Sequence, residues 1–164
     1  MTSYTGGILT ISDKGSRGER EDTSGPQLQA MLSEQGFSLA AYAIVPDEIS
    51  IIRDTLRAWA DEKKIDLILS TGGTGVSPSD LTPEATRAIL DREIPGIGEA
   101  MRLASLQKTP NAIRSRGIAG IRKQSLIINL PGSKKAAQEN LAAVLPALQH
   151  AIYNIQGGAK DCGS

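Results

Sequence analysis

The sequence predicts an α/β fold in which a mostly parallel β-sheet forms the middle of three layers, with helices on both faces. Four short apolar runs rich in β-branched residues alternate with segments of helical periodicity, the pattern of strand–helix–strand units. Each run ends in polar turn residues. The chain has 164 residues, which suits one compact domain spanning residues 1–164.

The apolar runs are the predicted strands, and the periodic segments are the predicted helices. The strands are Gly7–Ile11, Leu39–Val45, Leu67–Leu69 and Leu126–Leu130. The helices are Pro26–Gln35, Glu48–Lys63, Pro83–Asp91, Pro95–Leu106 and Lys134–Ile155. In the second helix, apolar residues from Ile49 to Trp59 recur at steps of three and four, so we expect this stripe to face the sheet. Pro146 interrupts the last segment, which predicts two helices or one kinked helix.

Composition limits the possible partners and compartment. Lys plus Arg and Asp plus Glu are 18 each, so no basic surplus favours nucleic acid. The single cysteine, Cys162, excludes a disulfide framework and favours a reducing cytoplasm. No apolar run approaches the roughly 18 residues of a membrane span. We therefore expect a soluble cytoplasmic protein that binds neither nucleic acid nor membrane, with a flexible tail from about residue 157.

The turns after the strands are predicted to share one edge of the sheet. In an open parallel sheet, ligands bind at the carboxyl ends of the strands, where the strand order reverses. The first loop, residues 13–25, is longer than the usual two to about six residues, which favours function or disorder. Its Asp22 is a candidate ligand residue, whereas Ser24 has the alternative role of capping the next helix.

The segment Ser70–Thr86 joins the third strand to a helix through a glycine-rich turn. Its glycines let backbone N–H groups approach a ligand, although tight packing is an alternative explanation for them. The segment fits neither G-x-G-x-x-G nor the Walker A pattern, so any phosphate site is of another kind. Helix starts after Ser24, Thr82 and Ser133 would add positive dipole ends, which favour phosphates, and Arg114, Arg116 and Lys134 would add localised charge.

Asp47 and Asp80 are the acids best placed for a divalent cation, for which we expect Mg²⁺, because each follows a predicted strand end. The alternative for Asp47 is an ordinary helix N-cap. The only histidine, His150, lies in the last helix, so no Ser-His-Asp triad or Cys-His pair can be assembled at the rim. The remaining chemistry is positioning and charge stabilisation, as in phosphoryl and nucleotidyl transfer.

The motifs resemble those of the molybdopterin adenylyltransferases, which include the gephyrin G domains. The glycine-rich turn and the segment from Asp80 to Thr86 look like the signature of molybdenum-cofactor biosynthesis proteins. Further matches lie in order along about residues 6–155, among them Ser12-Asp13-Lys14, Val45-Pro46-Asp47-Glu48, Ser115-Arg116 and Asn129-Leu130-Pro131-Gly132. The sequence departs from the family pattern at Gly15, Arg17 and Lys134, which affects ligand contacts more than the acids.

The resemblance implies an enzyme that uses ATP and Mg²⁺ to adenylylate molybdopterin with release of pyrophosphate. It implies catalytic and metal-binding roles for Asp47 and Asp80. The substrate-binding residues that it implies are Ser12, Asp22, Gly72, Gly73, Thr74, Gly75, Ser105, Ser115, Arg116, Pro131, Gly132 and Ser133. It also implies a homotrimer and hand-over of the product to a molybdate-inserting enzyme. The alternative is a paralogue that binds molybdopterin, or serves as an interaction module, without adenylyltransferase activity.

Overall fold

The computed structural model describes residues 3–158 and contains one six-stranded, mostly parallel sheet in that range. The strands are β1 (Thr5–Ile11), β2 (Ser38–Val45), β3 (Leu67–Thr71), β4 (Arg92–Glu93), β5 (Ala119–Arg122) and β6 (Ser125–Leu130). Their order across the sheet is β2-β1-β3-β6-β5-β4. The first four strands in this order are parallel, whereas β5 and β4 add an antiparallel margin. The predicted sheet is confirmed.

Helices cover both faces of the sheet and make the three predicted layers. They are α1 (Asp13–Ser16), α2 (Ser24–Glu34), α3 (Ile49–Asp61), α4 (Thr82–Arg87), α5 (Pro95–Leu106) and α6 (Lys134–Ile155), with a 3₁₀ helix at Pro110–Arg114. Alternate residues of β3 enter different cores: Leu67 and Leu69 pack on the α2, α5 and α6 side, and Ile68 packs on the α3 and α4 side. This alternation explains why the strand is apolar throughout, as buried parallel strands are.

The apolar stripe of α3 faces the sheet over most of its length. Ile52, Leu56 and Trp59 are buried, so the predicted core position of Trp59 is confirmed. Ile49, at the start of the helix, is 41% exposed, and its inclusion in the stripe is wrong. The first turn of α3 extends past the edge of the core, which leaves this side chain in solvent.

Helix α6 continues through Pro146 as one 22-residue helix, so the prediction of two helices is wrong. Proline removes one backbone donor and costs about 3 kcal/mol in a helix interior. Leu141, Val144 and Leu148 are buried on both sides of the proline, so both halves of the helix pack on the core. Tertiary packing therefore overrides the local penalty.

Two further observations concern a possible membrane span and the C-terminal end of the described chain. Within residues 3–158, no helix is long and apolar enough to cross a bilayer. Gly157 closes the last helix with a left-handed conformation, φ 82°. Most of the predicted tail from about residue 157, including Cys162, lies outside the described residues.

Candidate active site

The site forms at the carboxyl edge of the sheet, where the strand order reverses between β1 and β3. After β1, the chain crosses to β2 on one side and then returns to β3 on the other. The loops that leave β1 and β3 consequently diverge, which opens a crevice between them. The turns after β1, β2, β3 and β6 lie together at this edge, as predicted from their order along the chain.

Backbone geometry at Gly72 and Gly73 requires glycine. Both residues have positive φ, 107° and 67°. A Cβ on Gly72 would stand 2.3 Å from the Ile11 carbonyl oxygen, and one on Gly73 would stand 2.3 Å from Thr82 Oγ1. Tight packing therefore explains the glycine at position 72, because Gly72 follows β3 and lies directly against the end of β1. It is compatible with a ligand role for the turn, because both glycines also line a cavity.

The predicted helix start after Thr82, which would make Thr82 its N-cap, is wrong by one residue. Leu81 occupies the cap position of α4, and Thr82 begins the helix. The buried Thr82 hydroxyl donates to the Gly72 carbonyl oxygen at 2.8 Å, and the Thr82 N–H donates to the Gly73 carbonyl at 3.1 Å. Thr82 thus fixes the two glycines instead of capping a helix.

Two cavities of about 490 and 480 Å³ adjoin at the crevice. The first, cavity A, is bounded by the glycine turn, α5, the 3₁₀ helix and the start of α6. The second, cavity B, is bounded by the loops after β1, β2 and β3. Their shared wall consists of Gly73, Asp80, Gly132 and Ser133. Two ligands can therefore lie side by side with only this wall between them.

All but one of the predicted site residues line these cavities. Cavity A contains Gly73, Thr74, Gly75, Asp80, Ser105, Ser115, Pro131, Gly132 and Ser133. Cavity B contains Ser12, Asp22, Asp47, Gly72, Gly73, Asp80, Gly132 and Ser133. Arg116 lines neither cavity. Arg114 lines cavity A, whereas Lys134 is exposed and lines neither.

Asp47 is held by a reciprocal pair of hydrogen bonds with Asp13. The Asp13 N–H donates to Asp47 Oδ2 at 3.1 Å, and the Asp47 N–H donates to Asp13 Oδ1 at 2.8 Å. The cap position before α3 belongs to Glu48, so the N-cap alternative for Asp47 is wrong. Instead, this carboxylate joins the ends of β1 and β2.

The environment of Asp47 disfavours its charged form. Burial is the largest cause that raises its pKa, against the lowering by the Asp13 N–H, and the negative charges of Asp13 and Asp80 raise the pKa further. The two predicted catalytic acids both line the cavity bounded by the loops after β1, β2 and β3, although the strands that they follow, β2 and β3, are not neighbours in the sheet.

Each of the two acids retains an oxygen for a ligand. Asp80 Oδ2 accepts from the Ser77 N–H at 2.9 Å, and Asp47 Oδ2 accepts from Asp13. The Oδ1 atoms of Asp47 and Asp80 accept no hydrogen bond from residues 3–158. Over the same range, no cluster of three or more His, Cys, Asp or Glu side chains is arranged to hold a metal ion. Each acid therefore offers one carboxylate oxygen, and one or two carboxylates are the protein ligands that Mg²⁺ commonly uses beside phosphate and water.

Asp22 organises the long first loop. Its carboxylate accepts from the Thr10 hydroxyl at 2.7 Å, the Gly25 N–H at 3.0 Å and the Tyr42 hydroxyl. Burial and this acceptor raise the pKa of Tyr42 above its ordinary value, so the phenol stays a donor. Sequence reasoning missed Thr10 and Tyr42, because residues inside strands carry no turn signal.

The three predicted helix starts differ in the structure. Ser133 caps α6, since its Oγ accepts from the Ala136 N–H at 3.2 Å. Ser24 is the first residue of α2, after Thr23, and its hydroxyl donates to the Gly132 carbonyl at 2.9 Å. Ser24 thereby joins the first loop to the shared wall. Only the α6 start keeps the predicted cap residue.

Cavity A has a second polar side that the sequence did not predict. Asn140, buried in α6, donates to Ser105 Oγ at 2.7 Å, which fixes the orientation of this predicted site residue. Arg102 also lines the cavity and donates to the Gly117 carbonyl. Both residues lie in amphipathic helices, where a polar residue facing inward was the available signal.

The fold and the site together define an α/β ligand-binding protein with two adjoining cavities at the switch point of its sheet. Comparison with known proteins identifies its family. The chain belongs to the family described as "Probable molybdopterin binding domain", which matches residues 7–150. The resemblance stated from the sequence is confirmed.

Individual relatives agree with this assignment. The chain is 46% identical to the molybdopterin adenylyltransferase of Helicobacter pylori strain J99 over 153 residues, covering 92% of this chain and 87% of that protein. It is 49% identical to Dictyostelium discoideum gephyrin, covering 94% of this chain but only 23% of that protein. The Thermus thermophilus molybdopterin biosynthesis enzyme MoaB superposes with a TM-score of 0.90 at 54% identity, covering 96% of this chain and 99% of that chain.

Proposed function

We propose that this protein is a molybdopterin adenylyltransferase, which transfers AMP from ATP to the terminal phosphate of molybdopterin and releases pyrophosphate. The observation that carries the proposal is the shared wall: two cavities adjoin there, and Asp80 belongs to both. Two relatives that are 45–46% identical, of which the alignment covers 76% and 87%, bear this name.

The geometry supports transfer by positioning. A phosphate oxygen of the ligand in one cavity attacks the α-phosphorus of ATP in the other, and the bond from that phosphorus to the pyrophosphate oxygen breaks. The glycine turn and the N-terminus of α6 supply backbone N–H groups beside the wall, which stabilise phosphate charge. No proton donor is needed for a pyrophosphate leaving group, in agreement with the lack of histidine among the cavity residues.

Asp47 and Asp80 fit a bound Mg²⁺, because each has one carboxylate oxygen that accepts no hydrogen bond from the described residues 3–158. When bound, Mg²⁺ neutralises phosphate charge and aligns the transferring group. The negative charges of the two acids repel each other when both are ionised. A bound divalent cation would offset this repulsion.

The remaining residues are proposed to hold the substrates. Gly72, Gly73, Thr74 and Gly75 would contact phosphate, and Pro131, Gly132 and Ser133 would flank the nucleotide. Ser12 and Asp22 would contact the ligand in cavity B, and Ser105 and Ser115 would contact the ligand in cavity A. In support, each of these residues lines a cavity. The carboxylate of Asp22 acts mainly as the organiser of its loop, because three protein donors already occupy it.

The test is to incubate purified protein with ATP, molybdopterin and Mg²⁺, and to measure adenylylated molybdopterin by mass spectrometry together with released pyrophosphate. We expect both products in equal amounts and their loss after chelation by EDTA. Formation with EDTA present would remove Mg²⁺ from the proposal. Tight molybdopterin binding without ATP consumption would identify a binding protein and reject the enzyme.

Four further features accompany the proposal. We place the activity in a single domain, supported by one sheet that carries both hydrophobic clusters. We propose a cytoplasmic location, supported by the single cysteine. A homotrimer and hand-over to a molybdate-inserting enzyme follow from the family resemblance. Light scattering would measure the mass of the assembly.

A further inference from the structure

Arg116 uses its guanidinium group on the protein itself. Its Nε donates to the Gly75 carbonyl at 2.8 Å, and its Nη2 donates to the Asp80 carbonyl at 2.7 Å. Both terminal nitrogens also bind the Glu84 carboxylate, at 2.7 and 3.1 Å. The backbone N–H of Arg116 donates to Thr74 at 2.8 Å. This fork joins three points of the segment 74–84.

The loop between these points has little other support. Residues 76–79 are all exposed. Within the loop, Ser77 and Asp80 make a tight turn, with the Asp80 N–H donating to the Ser77 carbonyl at 3.0 Å and Asp80 Oδ2 accepting from Ser77. Arg116 holds Gly75 before the loop and Asp80 at its end. Arg116 therefore holds the backbone at both ends of the loop that carries the Asp80 carboxylate.

We propose that Arg116 is a positioning residue, which fixes the Asp80 carboxylate at the shared wall and makes no contact with substrate. The inference rests on the proposed function for its kinetic consequences. It replaces the ligand role that the sequence resemblance implied for Arg116. Lysine cannot substitute, because its ammonium group lacks the planar fork that reaches two carbonyls and a carboxylate together.

The test compares Arg116→Lys with a matched control, Arg122→Lys. Arg122 makes a similar fork, to the Asp61 carboxylate at 2.6 and 2.9 Å and to the Ile89 carbonyl at 2.9 Å, but it lines neither cavity. We expect Arg116→Lys to lower kcat roughly 10- to 100-fold, the range seen when a partner of a metal-binding residue is lost. The KM of Arg116→Lys for both substrates should stay near the wild-type value. The kcat of Arg122→Lys should also stay near the wild-type value.

A double-mutant cycle with Asp80→Asn separates positioning from substrate binding. If Arg116 acts only through Asp80, the double variant is no slower than Asp80→Asn alone. Multiplied losses, or a raised KM with unchanged kcat, would mean that Arg116 binds substrate and would overturn the proposal. A general structural defect would lower the melting temperature of Arg122→Lys and Arg116→Lys alike.

Hydrogen–deuterium exchange gives a readout that does not require activity. The amides of Ser77 and Asp80 should exchange faster in Arg116→Lys and at the wild-type rate in Arg122→Lys. Equal rates in both would overturn the proposal. If the wild-type protein forms no adenylylated product, the proposed function fails, while this exchange comparison still decides the role of Arg116.

Should Arg116→Lys fail to fold, Glu84→Gln provides the second variant. It removes the charge that anchors the guanidinium and leaves the arginine in place. We expect a smaller fall in kcat, again not additive with Asp80→Asn, and faster exchange at Asp80. If Glu84→Gln keeps the wild-type kcat and the wild-type exchange rate at Asp80, the proposed positioning role of Arg116 is contradicted.

Discussion

The two acids of the site are held in different ways. Asp47 follows an edge strand and forms two reciprocal hydrogen bonds with Asp13, each from a backbone N–H to the other residue's carboxylate, so the ends of β1 and β2 define its place. Asp80 ends an exposed loop, where its backbone carbonyl accepts from Arg116 Nη2 and its carboxylate accepts from the Ser77 N–H. We call the part of the site around Asp47 the Asp47 half, and the part that follows β3, residues 72–84, the β3 half. The comparison indicates that substitutions far from the cavities can disturb the β3 half.

The largest expected effect is on activity, when either acid is neutralised. Asp47→Asn and Asp80→Asn should each lower kcat roughly 100- to 1,000-fold, because each removes a carboxylate proposed to hold the Mg²⁺ that stabilises charge on the transferring group. Initial rates of pyrophosphate release measure this. Melting temperatures near wild type would show that the loss is chemical. If only one of the two substitutions impairs turnover, the halves do not converge on one reaction.

The next largest effect is on stability, at the contact between Gly72 and the end of β1. Gly72→Ala would place a Cβ against the Ile11 carbonyl at a positive φ, so we expect it to lower the free energy of unfolding by roughly 2 to 4 kcal/mol. Urea unfolding measures the change. The control is Gly96→Ala, since a Cβ there meets no atom within 4 Å. This exposed helical position should gain up to about 1 kcal/mol.

A smaller effect is expected within the β3 half alone. Thr82→Val keeps the shape but leaves the Gly72 carbonyl without its donor, which should cost roughly 1 to 3 kcal/mol. The control is Thr55→Val in α3, because Thr55 also donates to a carbonyl, that of Ile51, away from the site. Calorimetry of both variants makes the comparison. Equal losses would show that Thr82 contributes no more than an ordinary helical threonine.

The smallest effect concerns pH and belongs to the Asp47 half. The folded-state pKa of Asp47 is raised, so the folded protein binds this proton more tightly than the unfolded chain does. Its contribution to stability is present below the unfolded pKa and is lost as pH rises through the folded pKa. Asp47→Asn should therefore stabilise the protein more at pH 7 than at pH 4, in thermal melts. The opposite sign would contradict the burial of this carboxylate.

Sequence patterns predicted the parallel part of the sheet and most of the rim. Apolar runs locate the strands well when both faces are buried, as for β3, whose five residues are all buried. The strands β4 and β5 were missed because they are short, and Arg92 and Glu93 are exposed and polar. Such strands form because β6 presents an edge, a tertiary cause without a local signal.

The roles of individual site residues were harder to predict than their location. Thr82 and Asp47 are both residue types that often cap helices. In the structure, however, the Thr82 hydroxyl donates to the Gly72 carbonyl, and the Asp47 carboxylate accepts from the Asp13 N–H. Arg116 is a residue type that binds anionic ligands, yet its guanidinium binds the Glu84 carboxylate and two backbone carbonyls of the protein itself. In each case the partner is distant or reached only through loop geometry, so spacing along the chain cannot reveal it.

The shared wall also restricts how ligand preference can change. Gly73 and Gly132 border both compartments, so a side chain added to either one alters the two pockets together. Independent tuning is open only at outer positions, such as Arg20 on one side and Asn111 on the other. Engineering toward a different nucleotide or a different acceptor should begin at that periphery and leave the common partition untouched.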